Sequence, residues 1–134
     1  MIRRHSHSTV YVLDQDRAKA FYTEKLGLDV RDDARMGDFR WLTVAPKTQP
    51  DACIVLMPIK AGPMMDEATA ASLRSLVEKG VLGGGVFQTD DCRRTYEELK
   101  ARGVQFVREP KQMPYGVEAL FRDDSGNFFS LTQH

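Results

Sequence analysis

At 134 residues the chain is long enough for one hydrophobic core and too short for two independent ones. Hydrophobic residues at 42% and charged residues at 28% are ordinary for a globular protein and exclude disorder as the main state. Nineteen basic residues cancel nineteen acidic ones, so no net field draws nucleic acid or an anionic membrane, and neither is expected as a partner.

Ser6 to Val12 alternates with period two and predicts a half-buried strand, with Val10 and Val12 on one face and His7, Thr9 and Tyr11 on the other. Asp14 offers an N-cap for a helix over 16–26, with Ala18, Phe21, Tyr22 and Lys25 or Leu26 inward and Gly27 as its stop. Leu28 to Val30, Arg40 to Val44 and Ala52 to Met57 read as strands. A turn-rich stretch from Pro58 to Pro63 leads to a helix over Asp66 to Lys79, stopped by Gly80. Gly83-Gly84-Gly85 then reads as a flexible lead-in to a strand at Val86 and Phe87. Thr89 and Asp90 open a helix that reaches Arg102, ends at Gly103 and buries Cys92, Tyr96 and Leu99. Val104 to Val107, Val117 to Arg122 and Phe128 to Thr132 complete three further strands.

The longest strongly apolar stretch, Cys53 to Met57, is too short to cross a bilayer. Cys53 and Cys92 cannot build a disulfide framework or a four-cysteine zinc site, and the first residues lack the apolar core of a signal peptide. A reduced, cytoplasmic setting is the expectation.

The second half repeats the first. Moved along by 76 positions, Asp14 falls on Asp90, Arg17 on Arg93 and Gly27 on Gly103, while Leu28 and Val30 fall on Val104 and Phe106. The shared order of strand, capped helix, glycine stop and short strand makes a duplication of βαβββ units.

On these residues the chain resembles the vicinal oxygen chelate superfamily, which holds glyoxalase I, the fosfomycin and bleomycin resistance proteins and the extradiol dioxygenases. The similar cues are His7 with Val12-Leu13-Asp14, then Ala20-Phe21-Tyr22 and Leu26-Gly27-Leu28. In the second half they are Thr89-Asp90-Asp91, Ala101-Arg102-Gly103-Val104 and Phe121-Arg122-Asp123-Asp124-Ser125-Gly126-Asn127, where Asp124 stands in place of a common proline. The resemblance covers nearly the whole chain. It implies an α+β fold of two βαβββ modules in a pseudo-twofold arrangement, their curled mixed sheets forming one cup. The implied layout is a single domain over 1–134, with modules over about 1–60 and 83–134 and a linker helix within about 61–82. Relatives of this kind usually pair, so a homodimer is also expected.

The resemblance further implies a divalent metal held by two histidines and one or two glutamates, with positions open for substrate oxygens. Carried over residue by residue, the first ligand is His7. The others fall on Met57, a weak soft donor, on Gly84, which has no side chain, and on Ser130. No metal and no other cofactor is therefore expected.

Alternation places Val10, Val12, Ile54, Leu56, Phe87, Phe121, Phe129 and Leu131 beneath the helices. The opposite faces carry His7, Thr9, Tyr11, Trp41 and Met57 from the first half, and Gln88, Glu118, Leu120 and Ser130 from the second. This lining is mostly apolar with a few polar groups, as a small-molecule pocket requires. His7 and Glu118 are the candidate catalytic residues, since a carboxylate facing a cavity needs a partner or a proton; a water-exposed strand-edge Glu118 is the other reading.

Three functions fit. One is a metal-independent protein that binds a small hydrophobic or aromatic molecule. Another is an enzyme of the lyase or dioxygenase type, using an atypical metal site or His7 and Glu118 as acid and base. The third is a structural dimer module, because fold alone proves no activity.

Overall fold

The computed structural model describes all residues 1–134. The period-two segments form strands and the capped segments form helices, in two compact units, Met1–Arg74 and Ser75–His134. Together they hold two four-stranded mixed sheets and three helices, the α+β class expected. No helix is long and apolar enough to cross a membrane.

In the first unit, β1 (His7–Val12), β2 (Asp29–Met36), β3 (Phe39–Ala45) and β4 (Cys53–Pro58) assemble in the order β1-β4-β3-β2, with β1 parallel to β4 and the remaining pairs antiparallel. The helix α1 (Gln15–Ala20) starts where Asp14, in extended backbone, accepts a hydrogen bond from the Arg17 amide at 2.9 Å. It continues as one wide π turn over Phe21–Lys25, closed by the Leu26 amide on the Phe21 carbonyl. That turn buries Phe21 and Tyr22 side by side, and Gly27 at φ 74° takes the left-handed conformation that lets the chain leave. The core beneath the helix is Val10, Val12, Ala18, Tyr22, Leu42, Val44 and Leu56.

One charged group belongs to this core. Arg40, only 8% exposed, donates from Nε and Nη2 to the two oxygens of Asp33 and from Nη1 to Asp16. Gln15 adds two bonds from Nε2 to the backbone carbonyls of Arg40 and Leu56, fixing the start of α1 onto β3 and β4.

The second unit repeats the connectivity. β5 (Gly83–Gln88), β6 (Gln105–Met113), β7 (Gly116–Arg122) and β8 (Phe128–Gln133) take the order β5-β8-β7-β6, with β5 parallel to β8. The helix α2 (Glu67–Lys79) spans the boundary between the units, and α3 (Cys92–Ala101) covers the second sheet. As expected, α3 buries Cys92, Tyr96 and Leu99. Phe87, Phe106, Phe121 and Phe129 stack beneath it with ring centroids 5.0–6.2 Å apart.

Some local expectations need correction. The cap of α3 is Asp91, which accepts from the Arg94 amide at 3.0 Å, so the helix begins one residue later than Asp90 implied. The triple glycine is part of β5, and its first two members are packed: a Cβ on Gly83 would touch the ring of Phe128, and one on Gly84 would lie 2.2 Å from the ring of Phe129. Asp124 replaces proline without loss of the turn. The buried Asp123 carboxylate accepts from the amides of Ser125, Gly126 and Asn127, each at 2.9 Å, and holds the backbone itself.

Candidate functional site

Each sheet has one face under its helix and one face turned away from it, and the open faces carry the residues expected there. In the first unit, the register pairs His7 with Cys53, Thr9 with Val55 and Tyr11 with Met57, so these alternate positions share a face with Trp41 and Thr43. His7 and Thr9 are exposed; Tyr11, Trp41 and Met57 are half-buried. His7 has Nδ1 at 2.9 Å from Ser6 Oγ, and its ring centroid lies 5.7 Å from Trp41 at 50°. On its other side Trp41 meets Phe39 at 6.4 Å, and Phe39 is 36% exposed. Three rings thus form a partly open aromatic patch.

In the second unit, Val86 pairs with Ser130, Gln88 with Thr132, Glu118 with Thr132 and Leu120 with Ser130, which sets Gln88, Glu118, Leu120 and Ser130 on one face. Gln88 is exposed and Leu120 half-buried. Glu118 is neither free in water nor short of partners. Its Oε2 accepts from Ser130 Oγ, and its Oε1 accepts from Tyr115 OH at 2.7 Å and from Arg108 Nη2. The Ser130 hydroxyl first, then Tyr115 and Arg108, hold its carboxyl below the usual glutamate range despite partial burial. In turn the carboxylate pushes the Tyr115 phenol up. Glu118 is therefore ionised at neutral pH and spent as an acceptor. Its needs are met within its own unit, by Ser130 and by two residues that sequence reasoning did not name.

Arg108 escaped notice for a geometric reason. A strand ending at Val107 stops short of it, and strict alternation from the half-buried Phe106 would send it beneath the helix. In β6 the register slips between Phe106, opposite Phe121, and Arg108, opposite Leu120. This bulge re-aims Arg108 to the open face. Tyr115 comes from the turn between β6 and β7, where alternation has no meaning. The sole available signal was composition: a buried-face glutamate calls for a cation and a donor nearby.

The donor set does not fit a divalent ion. The Ser130 hydroxyl is committed to Glu118, and Glu118 already faces a guanidinium. The Gly84 position points to the helix-covered face, since a Cβ there would run into Phe129, so the sequence expectation that it lies on the open face is corrected. No group of three or more histidine, cysteine, aspartate or glutamate side chains converges in a way that could hold a metal. Cys92 is buried, its thiol pushed up by desolvation, and Cys53 is half-buried; both are free thiols. A cavity of about 360 Å³ lies against α3 and β6, lined by Tyr96, Lys100, Phe106 and Val107 among others. Arg108 also lines it, and none of the site residues expected from sequence does.

Comparison with known proteins agrees with the fold. Residues 4–131 match the family model described as Glyoxalase/Bleomycin resistance protein/Dioxygenase superfamily. YetH of Bacillus subtilis (strain 168), an uncharacterized protein, is 39% identical over 99% of this chain and 100% of its own length. The crystal structure of UcmS2 is 54% identical, with all of both chains covered and a TM-score of 0.95. TnmS3, an antibiotic binding protein from Streptomyces sp. CB03234, is 35% identical over 98% of this chain and 96% of that one, with a TM-score of 0.77.

Proposed function

Since the chain belongs to the Glyoxalase/Bleomycin resistance protein/Dioxygenase superfamily, we propose that it binds a small hydrophobic or aromatic molecule on the open faces of its sheets, without a metal. The observation that carries this reading is the patch of Phe39, Trp41 and His7, three rings left partly open on a sheet face whose centre is apolar. Aromatic faces bind planar apolar molecules through area and through edge and stacking geometry. The similarity to TnmS3, described as antibiotic binding, supports an antibiotic-like ligand. His7, Thr9, Tyr11, Trp41 and Met57 are the contacts proposed in the first unit, and Gln88, Glu118, Leu120 and Ser130 those in the second. The acid–base reading of Glu118 is not favoured by its three donors, which leave it no proton to give at neutral pH and make it a weaker base.

Trp41 is the single tryptophan, so its fluorescence reports the patch directly. Titration with a panel of aromatic antibiotics should quench or shift it saturably, and Trp41→Ala should weaken binding by about 1–3 kcal/mol as measured by calorimetry. Elemental analysis of protein purified without chelator should find less than stoichiometric zinc, iron, manganese and nickel. A tightly held ion that His7→Ala removes would overturn the metal-free reading.

Within the same reading the protein works as a homodimer in the cytoplasm. Its outer strands β1, β2, β5 and β6 each have one unpaired edge in their own sheet, and pairing or covering an edge is a common route to association. Sedimentation at tens of micromolar, roughly where weak dimers populate, should give the mass of two chains; a monomer only would count against it.

A further inference from the structure

In the polar network of the second unit both carboxylate oxygens of Glu118 are already engaged. Glu118 takes three hydrogen bonds, from Ser130, Tyr115 and Arg108, and both hydroxyls involved point their hydrogens at it. The densest set of donors beside Glu118 belongs to Arg108. A guanidinium carries five N–H groups in a rigid fork. Here Nη2 donates to Glu118 and the guanidinium also acts on the Tyr115 hydroxyl, while Nε is buried and meets no protein acceptor. A donor left in this condition costs about 1–3 kcal/mol, yet the side chain is not free to turn to water for relief. Glu118 pins it from one side, and the bulge in β6 fixes its exit from the strand.

Around this group the face is mixed: exposed Gln88 and Lys111, the latter opposite Glu118, alternate with apolar side chains. Leu120 lies opposite Arg108 in the register, Ser130 lies opposite Leu120, and Val86 beside Ser130 is 66% exposed. Phe128 stands at the end of the same strand, its ring over Gly83. The result is a cation, oriented and 36% exposed, with Leu120 and Val86 as apolar neighbours and its charge paired with Glu118. Such a site discriminates by what a ligand can accept. A molecule lacking an acceptor leaves the fork desolvated and unpaired, whereas an oxygen acceptor satisfies it.

We propose that Arg108 is the specificity-determining residue of the second sheet, donating to a carbonyl or carboxylate oxygen carried by an apolar ligand. This rests on the reading that the protein binds small apolar molecules, and it names the chemistry that those molecules must carry. Glu118 also positions Arg108 by pairing with its charge, and Tyr115 and Ser130 hold Glu118 in place through their hydroxyls.

Three matched probes test it on the full chain by titration calorimetry: 2-ethylnaphthalene, 2-acetonaphthone and 2-naphthoate. The two oxygen-bearing probes should bind about tenfold or more tighter than the hydrocarbon, the scale of one well-made bond to a charged donor. In Arg108→Gln that ratio should fall close to one, and in Arg108→Lys, which keeps a donor without the fork, it should fall only in part. Because the readout is a ratio of affinities, a general loss of folded protein does not imitate it. Glu118→Gln, which removes the balancing charge, should raise the preference for naphthoate over acetonaphthone several-fold. A preference confined to naphthoate in the native chain would identify the acceptor as an anion, and a shared preference would identify any carbonyl oxygen. If all three probes bind alike, or if Arg108→Gln leaves the ratio unchanged, the role of Arg108 falls while the binding function stands. If none binds, both fall.

Discussion

Asp33→Asn should lower the free energy of unfolding by about 2 kcal/mol, in urea titrations at neutral pH. Removing one member of a buried ion pair costs about 3–5 kcal/mol, because the other charge stays behind without its partner. Here the charge left behind is Arg40, 8% exposed on the helix-covered face of the first sheet. Its bond to Asp33 is a fork on both carboxylate oxygens, at 2.8 and 3.0 Å. The loss falls below that range because Asp33 itself is partly exposed, its side chain 25% accessible, and because Asp16 remains at 2.6 Å, although the Asp16 side chain is 83% exposed and well screened. Asp16→Asn should accordingly cost less than about 1 kcal/mol. If the two substitutions cost the same, the pair is not what holds Arg40 in place. The same pair sets a pH dependence. Hydrogen bonds from Arg40 and then Lys19 hold the Asp33 carboxyl far below its ordinary range. A group whose folded pKa is depressed contributes stability that is fully present above its unfolded pKa and is lost as pH falls toward the folded one. The gap between the native chain and Asp33→Asn should therefore be constant from pH 7 down to about 5 and narrow below about 4.

Most of the strands were legible because half-burial writes period two into them. Val10 and Val12, Phe121, and Phe129 with Leu131 all sit beneath helices as alternation demands. The caps were legible where the side chain does the work, as at Asp14. What alternation hides are edges and irregularities. β2 runs eight residues, yet Arg31-Asp32-Asp33-Ala34-Arg35 offers no apolar face and reads as a loop. It is a strand because its partners are polar: Thr43 bonds to Asp32, and Arg40 to Asp33. Arg108 was illegible for the related reason that a bulge inverts the parity on which every facing assignment rests. Hence Glu118 was found with the correct face and the wrong surroundings.

The largest packing effect is expected at Gly84→Ala, at about 3 kcal/mol, the upper end for forcing a methyl into a filled core. The backbone there is not left-handed, so the cost comes from space alone. The added Cβ would stand 2.2 Å from Cζ of Phe129. A ring at a surface would swing away. Phe129 is 1% exposed and held between Phe87, at 5.0 Å, and Phe121, at 5.6 Å, so movement of one ring must move the stack. Gly83→Ala is the internal comparison: its Cβ would lie 3.0 Å from the ring of Phe128, which is half-buried and able to yield, so its cost should be under half as large. Phe129→Leu, itself destabilising, should remove most of the penalty of Gly84→Ala in a double-mutant cycle, with a coupling of about 1–3 kcal/mol. An additive cycle would mean that the backbone at Gly84, and not the ring, resists the methyl. The same geometry bears on function. A histidine at position 84 would have to displace Phe129 before it reached any ligand, so Gly84→His should lose stability without gaining nickel or zinc in equilibrium dialysis. Tight metal uptake by that variant would show that the open face is one side chain short of a metal site, and the metal-independent reading would then rest on a single glycine.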